Sequence, residues 1–115
     1  MNYYLKIKIK PLSVNVAWKG RRFKTDEYKA YEEALMYLLP PMSVPKKRLK
    51  LSLLVGFSSK LSDLSNCLKL FEDILQKRYE FNDKDVFEIH MEKEIVKKGE
   101  EYISYKIEQL SLDRC

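Results

Sequence analysis

At 115 residues the chain is long enough for one domain, taken as 1–115, and too short for two ordinary ones. Hydrophobic residues make up 45% and charged residues 34%, which excludes a disordered chain; the longest apolar stretch, Ala34 to Met42, holds two prolines and is too short to cross a bilayer. The net charge of +5 is uneven: residues 1–50 carry twelve Lys/Arg against four Asp/Glu, and residues 51–115 carry ten against thirteen.

Residues 2–10 alternate lysine with Leu5, Ile7 and Ile9 and read as a half-buried strand ended by Pro11. The alternation leaves no unbroken apolar run of the kind an export signal needs. Residues 13–24 read as a loop or loose hairpin around Lys19-Gly20. Thr25 is a good N-cap for a helix from Asp26 to about Leu39, with acids in its first turn and an apolar stripe of Tyr28, Tyr31, Ala34, Leu35 and Leu38. Pro40 and Pro41 stop it. Residues 48–57 form a strand with Leu49, Leu51, Leu53 and Val55 on one face. A second helix is expected from about Leu64 to Arg78, with Leu64, Cys67, Leu68, Phe71, Ile74 and Leu75 at helical spacing. After a polar loop at 79–85, residues 86–97 and 101–110 read as two strands joined at Lys98-Gly99-Glu100 as a hairpin. The expected class is α+β, a mixed β-sheet with two helices packed on it.

Two cysteines, Cys67 and Cys115, make no disulfide framework and fit a reducing, cytoplasmic setting. The single histidine, His90, rules out a multi-histidine metal site. Two basic segments stand out, Lys19-Gly20-Arg21-Arg22-Phe23-Lys24 and Lys46-Lys47-Arg48-Leu49-Lys50. Either they form a solvated surface or they neutralise phosphates on a polyanion. Lys19, Arg21, Arg22, Lys24, Lys46, Lys47, Arg48 and Lys60 are the candidate nucleic-acid contacts. Trp18 and Phe23 either pack the hairpin onto the domain or stack on bases.

The segment Asp63-Leu64-Ser65-Asn66-Cys67-Leu68-Lys69-Leu70-Phe71-Glu72-Asp73 carries the most chemistry. One reading is structural: Asp63 or Ser62 caps the helix, and Lys69 pairs with Asp73 or Ser65. The other is a magnesium site. Magnesium takes oxygen ligands and keeps several waters, so a few carboxylates and a substrate phosphate suffice. Asp83, in the loop after the helix, is the natural second ligand to Asp63, and a lysine nearby would stabilise charge on a phosphate under attack.

The run D-L-S-N-C-L-K-L-F-E-D-I-L followed by F-N-D-K-D-V resembles the RusA family of Holliday-junction resolvases. So does the opening Pro11-Leu12-Ser13-Val14-Asn15, and the likeness extends over about residues 2–110. It implies a RusA-like fold and a homodimeric, magnesium-dependent endodeoxyribonuclease that binds four-way DNA junctions and cuts two opposed strands symmetrically. It assigns Asp63 and Asp83 as metal ligands, Lys69 as a catalytic lysine, and Asn66 to the family's asparagine. No membrane partner is expected. One position departs: Ser65 stands where the family carries a metal-binding aspartate, and a neutral hydroxyl is a poorer magnesium ligand. The enzyme can retain activity on two carboxylates, another acid such as Asp85 or Glu72 can substitute, or the protein binds branched DNA without cutting it.

Overall fold

The computed structural model describes residues 4–20 and 23–110. Strand β1 (Leu5–Ile7) is followed by a 3-10 turn at Val14–Val16 and a two-stranded ribbon, β2 (Trp18–Lys19) and β3 (Phe23–Lys24). Helix α1 (Asp26–Leu38), strand β4 (Leu49–Phe57) and helix α2 (Leu64–Tyr79) come next. A 3-10 turn at Asp83–Asp85 leads into β5 (Val86–Ile95), and β6 (Tyr102–Gln109) closes the described chain. The main sheet has the order β1-β6-β4-β5, with β4 and β5 parallel and the other pairs antiparallel. The fold is therefore α+β, a mixed sheet with two helices.

Local chemistry sets the helix ends. Thr25 Oγ1 accepts from Tyr28 N at 3.2 Å, satisfying one of the donors a helix start leaves open. Leu39, before two prolines, takes the extended conformation, and α1 ends there. Glu80 turns left-handed at the end of α2, with Lys77 and Arg78 in the last turn, where cations suit the helix dipole.

The core lies on one face of the sheet. Ile7, Ile103, Tyr105, Ile107, Leu49, Leu51, Leu53 and Val55 meet Tyr28, Tyr31 and Leu35 of α1 and Cys67, Phe71, Ile74 and Leu75 of α2. At its centre Tyr79 Oη donates to Pro40 O at 2.8 Å, which leaves Tyr105 as the donor in the 2.8 Å hydroxyl pair between the two tyrosines. On the opposite face Tyr102 lies over Gly56, where an added Cβ would stand 2.4 Å from the ring. Tyr102 Oη donates to Glu94, and Lys6 Nζ sits 4.3 Å above the same ring.

The hairpin expected at 86–110 is not formed. β4 lies between β5 and β6, pairing with one on each edge. The connection at 96–101 steps across the end of β4, a gap of two strand spacings, about 9.6 Å. Val96 N donates to Phe57 O there, and Gly99 has φ +94. The Lys98-Gly99-Glu100 turn suits a tight hairpin locally, but the apolar β4 offers two edges and captures both strands. Among the described residues of the expected first strand only Leu5–Ile7 finds partners on β6, and the chain leaves the sheet before Pro11; residues 2 and 3 lie outside the described residues.

Candidate active site

Asp63 caps α2. Its Oδ1 accepts from Ser65 N at 3.0 Å and from Ser65 Oγ at 2.8 Å. Those two bonds hold the exposed Asp63 carboxyl below the usual carboxylate range, with the Lys93 ammonium adding a smaller pull. Ser65 is therefore bonded to Asp63 through both its backbone and its side chain and occupies one of the carboxylate oxygens.

Asp63 and Asn66 line a cavity of about 420 Å³. Its wall is built from three separate pieces of chain: Lys10, Pro11, Ser13 and Asn15; Phe57 to Ser59 with Leu61 and Ser62, running on to Asp63; and Glu101. Ser13 Oγ accepts from Asn15 N at 3.1 Å, which fixes the turn that brings Asn15 to the wall. Glu101 is held ionised below the usual range by a hydrogen bond from Ser58 and backbone donors that include Gly99 N at 2.9 Å. Cys67 closes the inner end; burial pushes its thiol up to about 11, so it is an inert neutral group.

The other site residues lie along and beyond the helix. Lys69 Nζ pairs with Asp73 at 3.0 Å, one turn on, and Asp73 first, then Glu72 and Asp83, keep its ammonium charged to higher pH than usual. Glu72 is buried, and desolvation first, with the charges of Asp73 and Asp83, raises its carboxyl against the pull of Lys69. Asp83 is exposed in the turn after the helix. Asp63 precedes the first turn of α2, whereas Asp83 follows the helix and acts on Lys69 and Glu72 from alongside it. Among the described residues no group of three or more His, Cys, Asp or Glu is placed to hold a metal ion.

The basic candidates divide. Lys19, Lys47 and Lys60 are exposed. Lys24 is bonded to both oxygens of Glu32 at 3.1 Å, and Lys46 Nζ donates to Tyr79 O. The Arg48 guanidinium lies 5.1 Å over the Phe87 ring. Arg21 and Arg22 lie outside the described residues. Trp18 packs edge-on against Tyr28 at 5.3 Å, whereas Phe23 is 70% exposed. His90 is exposed and bonded to Glu92 at 2.8 Å.

Three residues of this region were not legible beforehand. Lys93 on β5 donates to Ser62 O at 2.9 Å and to Lys60 O at 3.4 Å, tying down the loop before Asp63. Asn15 and Glu101 reach the cavity from distant parts of the chain. Only the Pro11–Asn15 motif hinted at the first; Glu101 and Lys93 sit in ordinary strand and turn patterns that read as solvated charge. No helix among the described residues is long and apolar enough to cross a membrane. No protein-family model matches the chain, and a search of curated proteins finds no match.

Proposed function

We propose that the protein is a RusA-like, magnesium-dependent endodeoxyribonuclease acting on four-way DNA junctions, and that its site is completed between two copies of the chain. The observation that carries this reading is that Asp63 caps the start of α2 while Asp83 stands further along it, beside Lys69 and Glu72, next to a bare sheet edge. Among the described residues the outer edge of β5 pairs with nothing, and Phe87, Ile89 and Ile95 are exposed on it. A ten-residue open edge of this kind is a template for pairing.

Two copies of β5 can pair antiparallel about a two-fold axis normal to the sheet. Such an axis keeps each face, so opposed residues must be an even number apart. Centred on Ile89, the pairing sets Ile89 against its own copy, Phe87 against Met91 and Glu88 against His90. It also sets the start of β5 in the partner subunit, into which the Asp83–Asp85 turn of the partner subunit leads, toward the Lys93–Ile95 end. Ile95 is in register with Phe57, and Lys93 already holds Ser62, so that end of β5 lies beside Asp63. Registers centred on His90 or Met91 instead oppose Glu88 with Glu92 or Glu94, and like charges directly opposite destabilise.

In this arrangement Asp63 of one chain and Asp83 of the partner subunit hold the ion, and Asn66 orients ligands from the next layer. Magnesium held there by Asp63 and the partner's Asp83 would supply an acidified water and offset charge on the scissile phosphate. Lys69 supplies positive charge toward the leaving oxygen. Two such sites related by a two-fold axis match the near two-fold symmetry of a four-way junction. Lys19, Lys47 and Lys60 supply phosphate contacts, which give affinity and register rather than base choice.

A second reading is favoured by one specific bond. Ser65 Oγ occupies Asp63 Oδ1, and a site short of one carboxylate supports binding of branched DNA without cutting. Incubating the purified protein with an end-labelled four-way junction and magnesium separates the two. The nuclease reading expects paired nicks in opposed strands that vanish with chelator; retention of the junction with no nick at any protein concentration overturns it in favour of binding alone.

A further inference from the structure

The loop between β4 and α2 exposes Leu61 to 94%, the highest exposure of any large apolar side chain among the described residues. The exposure does not come from a loose tip. Leu61 N donates to Ser59 Oγ at 3.2 Å, Ser62 N donates to Ser59 O at 3.3 Å, and Lys93 grips the carbonyls of Lys60 and Ser62. Held backbone on both sides points an apolar side chain into solvent, two residues before Asp63. Leu61 also forms one lip of the 420 Å³ cavity. Proteins that distort DNA use such side chains, pushing an apolar wedge between base steps.

The cavity beside it is of a size that takes a small organic group. Its floor includes Phe57, Cys67 and Pro11, and its rim carries Ser13, Asn15, Ser58 and Asn66. Two carboxylates, Asp63 and Glu101, face one lysine, Lys10. Away from Asp63 the wall is lined by amide and hydroxyl groups, which offer partners to the edge of a neutral heterocycle.

We infer that Leu61 is an unstacking wedge: it inserts at the junction crossover beside the scissile phosphate, and the displaced base enters the cavity between Asn15, Ser58, Asn66 and Glu101. The inference rests on the junction-binding reading above. Lys60, adjacent and exposed, would hold the backbone as the base leaves the stack.

The test uses a four-way junction with 2-aminopurine next to the crossover, whose fluorescence rises when the base unstacks. The unaltered protein should bind and raise the signal. Leu61→Ala should still retain the junction on a gel but lose the rise, and Leu61→Phe, a second wedge, should restore it. An equal rise with Leu61→Ala overturns the wedge and leaves junction binding intact. Failure of the unaltered protein to retain the junction overturns both.

Discussion

Ser65 and Asp63 are the pair on which the chemistry turns. Because hydrogen bonds from Ser65 lower the folded-state titration of Asp63, this carboxylate contributes stability that is present above the ordinary carboxylate range and lost as pH falls through its lower folded value. Ser65→Ala removes the larger of the two bonds. The Asp63 carboxyl should then titrate at higher pH, closer to an ordinary aspartate; side-chain carboxyl NMR across the acid range measures the shift, and an unmoved titration would show that the Ser65 hydroxyl does not bond to it. Ser65→Asp places a second carboxylate at the N-terminus of α2 and should strengthen magnesium binding, read by calorimetry with the metal alone. Gly56 makes a separate prediction. A Cβ there meets the Tyr102 ring at 2.4 Å, so Gly56→Ala should cost about 1–3 kcal/mol, measured by denaturant melts. The Asp63–Asn66–Lys69–Asp73 spacing was legible from residue types alone. That the Ser65 hydroxyl would spend itself on Asp63 was not, because it depends on the cap geometry of one turn.

At the scale of elements, the helices followed from the sequence closely. Thr25, the apolar spacing and the proline pair set α1 at Asp26–Leu38, against an expected end near Leu39. The apolar stripe from Leu64 to Leu75 set α2 at Leu64–Tyr79, one residue longer than expected. Helices are written in local signals, and sheet partners are not. Lys98-Gly99-Glu100 reads as a hairpin turn, yet β5 pairs in parallel with β4 through the α2 crossover. That choice depends on which strand is most apolar and which edge is free, properties of the assembled sheet. The same strand then ends up on the outside, with Phe87, Ile89 and Ile95 exposed. Ile89→Lys adds a charge at the centre of the inferred pairing and leaves the rest of the sheet intact. Sedimentation should show the unaltered chain as a dimer and the variant as a folded monomer without cutting activity. A variant that remains a dimer would move the interface elsewhere. Thr25→Ala should lower stability by about 1 kcal/mol through loss of the α1 cap, measured by thermal melting.

For the molecule as a whole, α2 acts as a spacer. Its N-terminal end holds Asp63, Asn66 and the cavity; its middle holds Lys69, Glu72 and Asp73, with Asp83 alongside. The exposed basic residues follow the same division. Lys19 belongs to the ribbon joined to the Asn15 segment, and Lys47 follows Lys46, which is bonded to the last residue of α2. Sequence spacing suggested which residues belong together but not that Asp83 would stand beside Lys69 and Glu72 while Asp63 caps the helix start, because that depends on how the chain folds back after α2. Antiparallel pairing of two β5 edges reverses the second helix and places opposite ends side by side. Mixing two variants tests this most directly. Asp63→Asn and Asp83→Asn should each bind a four-way junction and fail to cut it. In a mixed dimer, one site keeps both carboxylates and the other loses both, so combining the two inactive proteins should restore a single nick per junction in magnesium. A mixture as silent as its parts, while the unaltered protein cuts under the same conditions, would contradict a site shared between two chains.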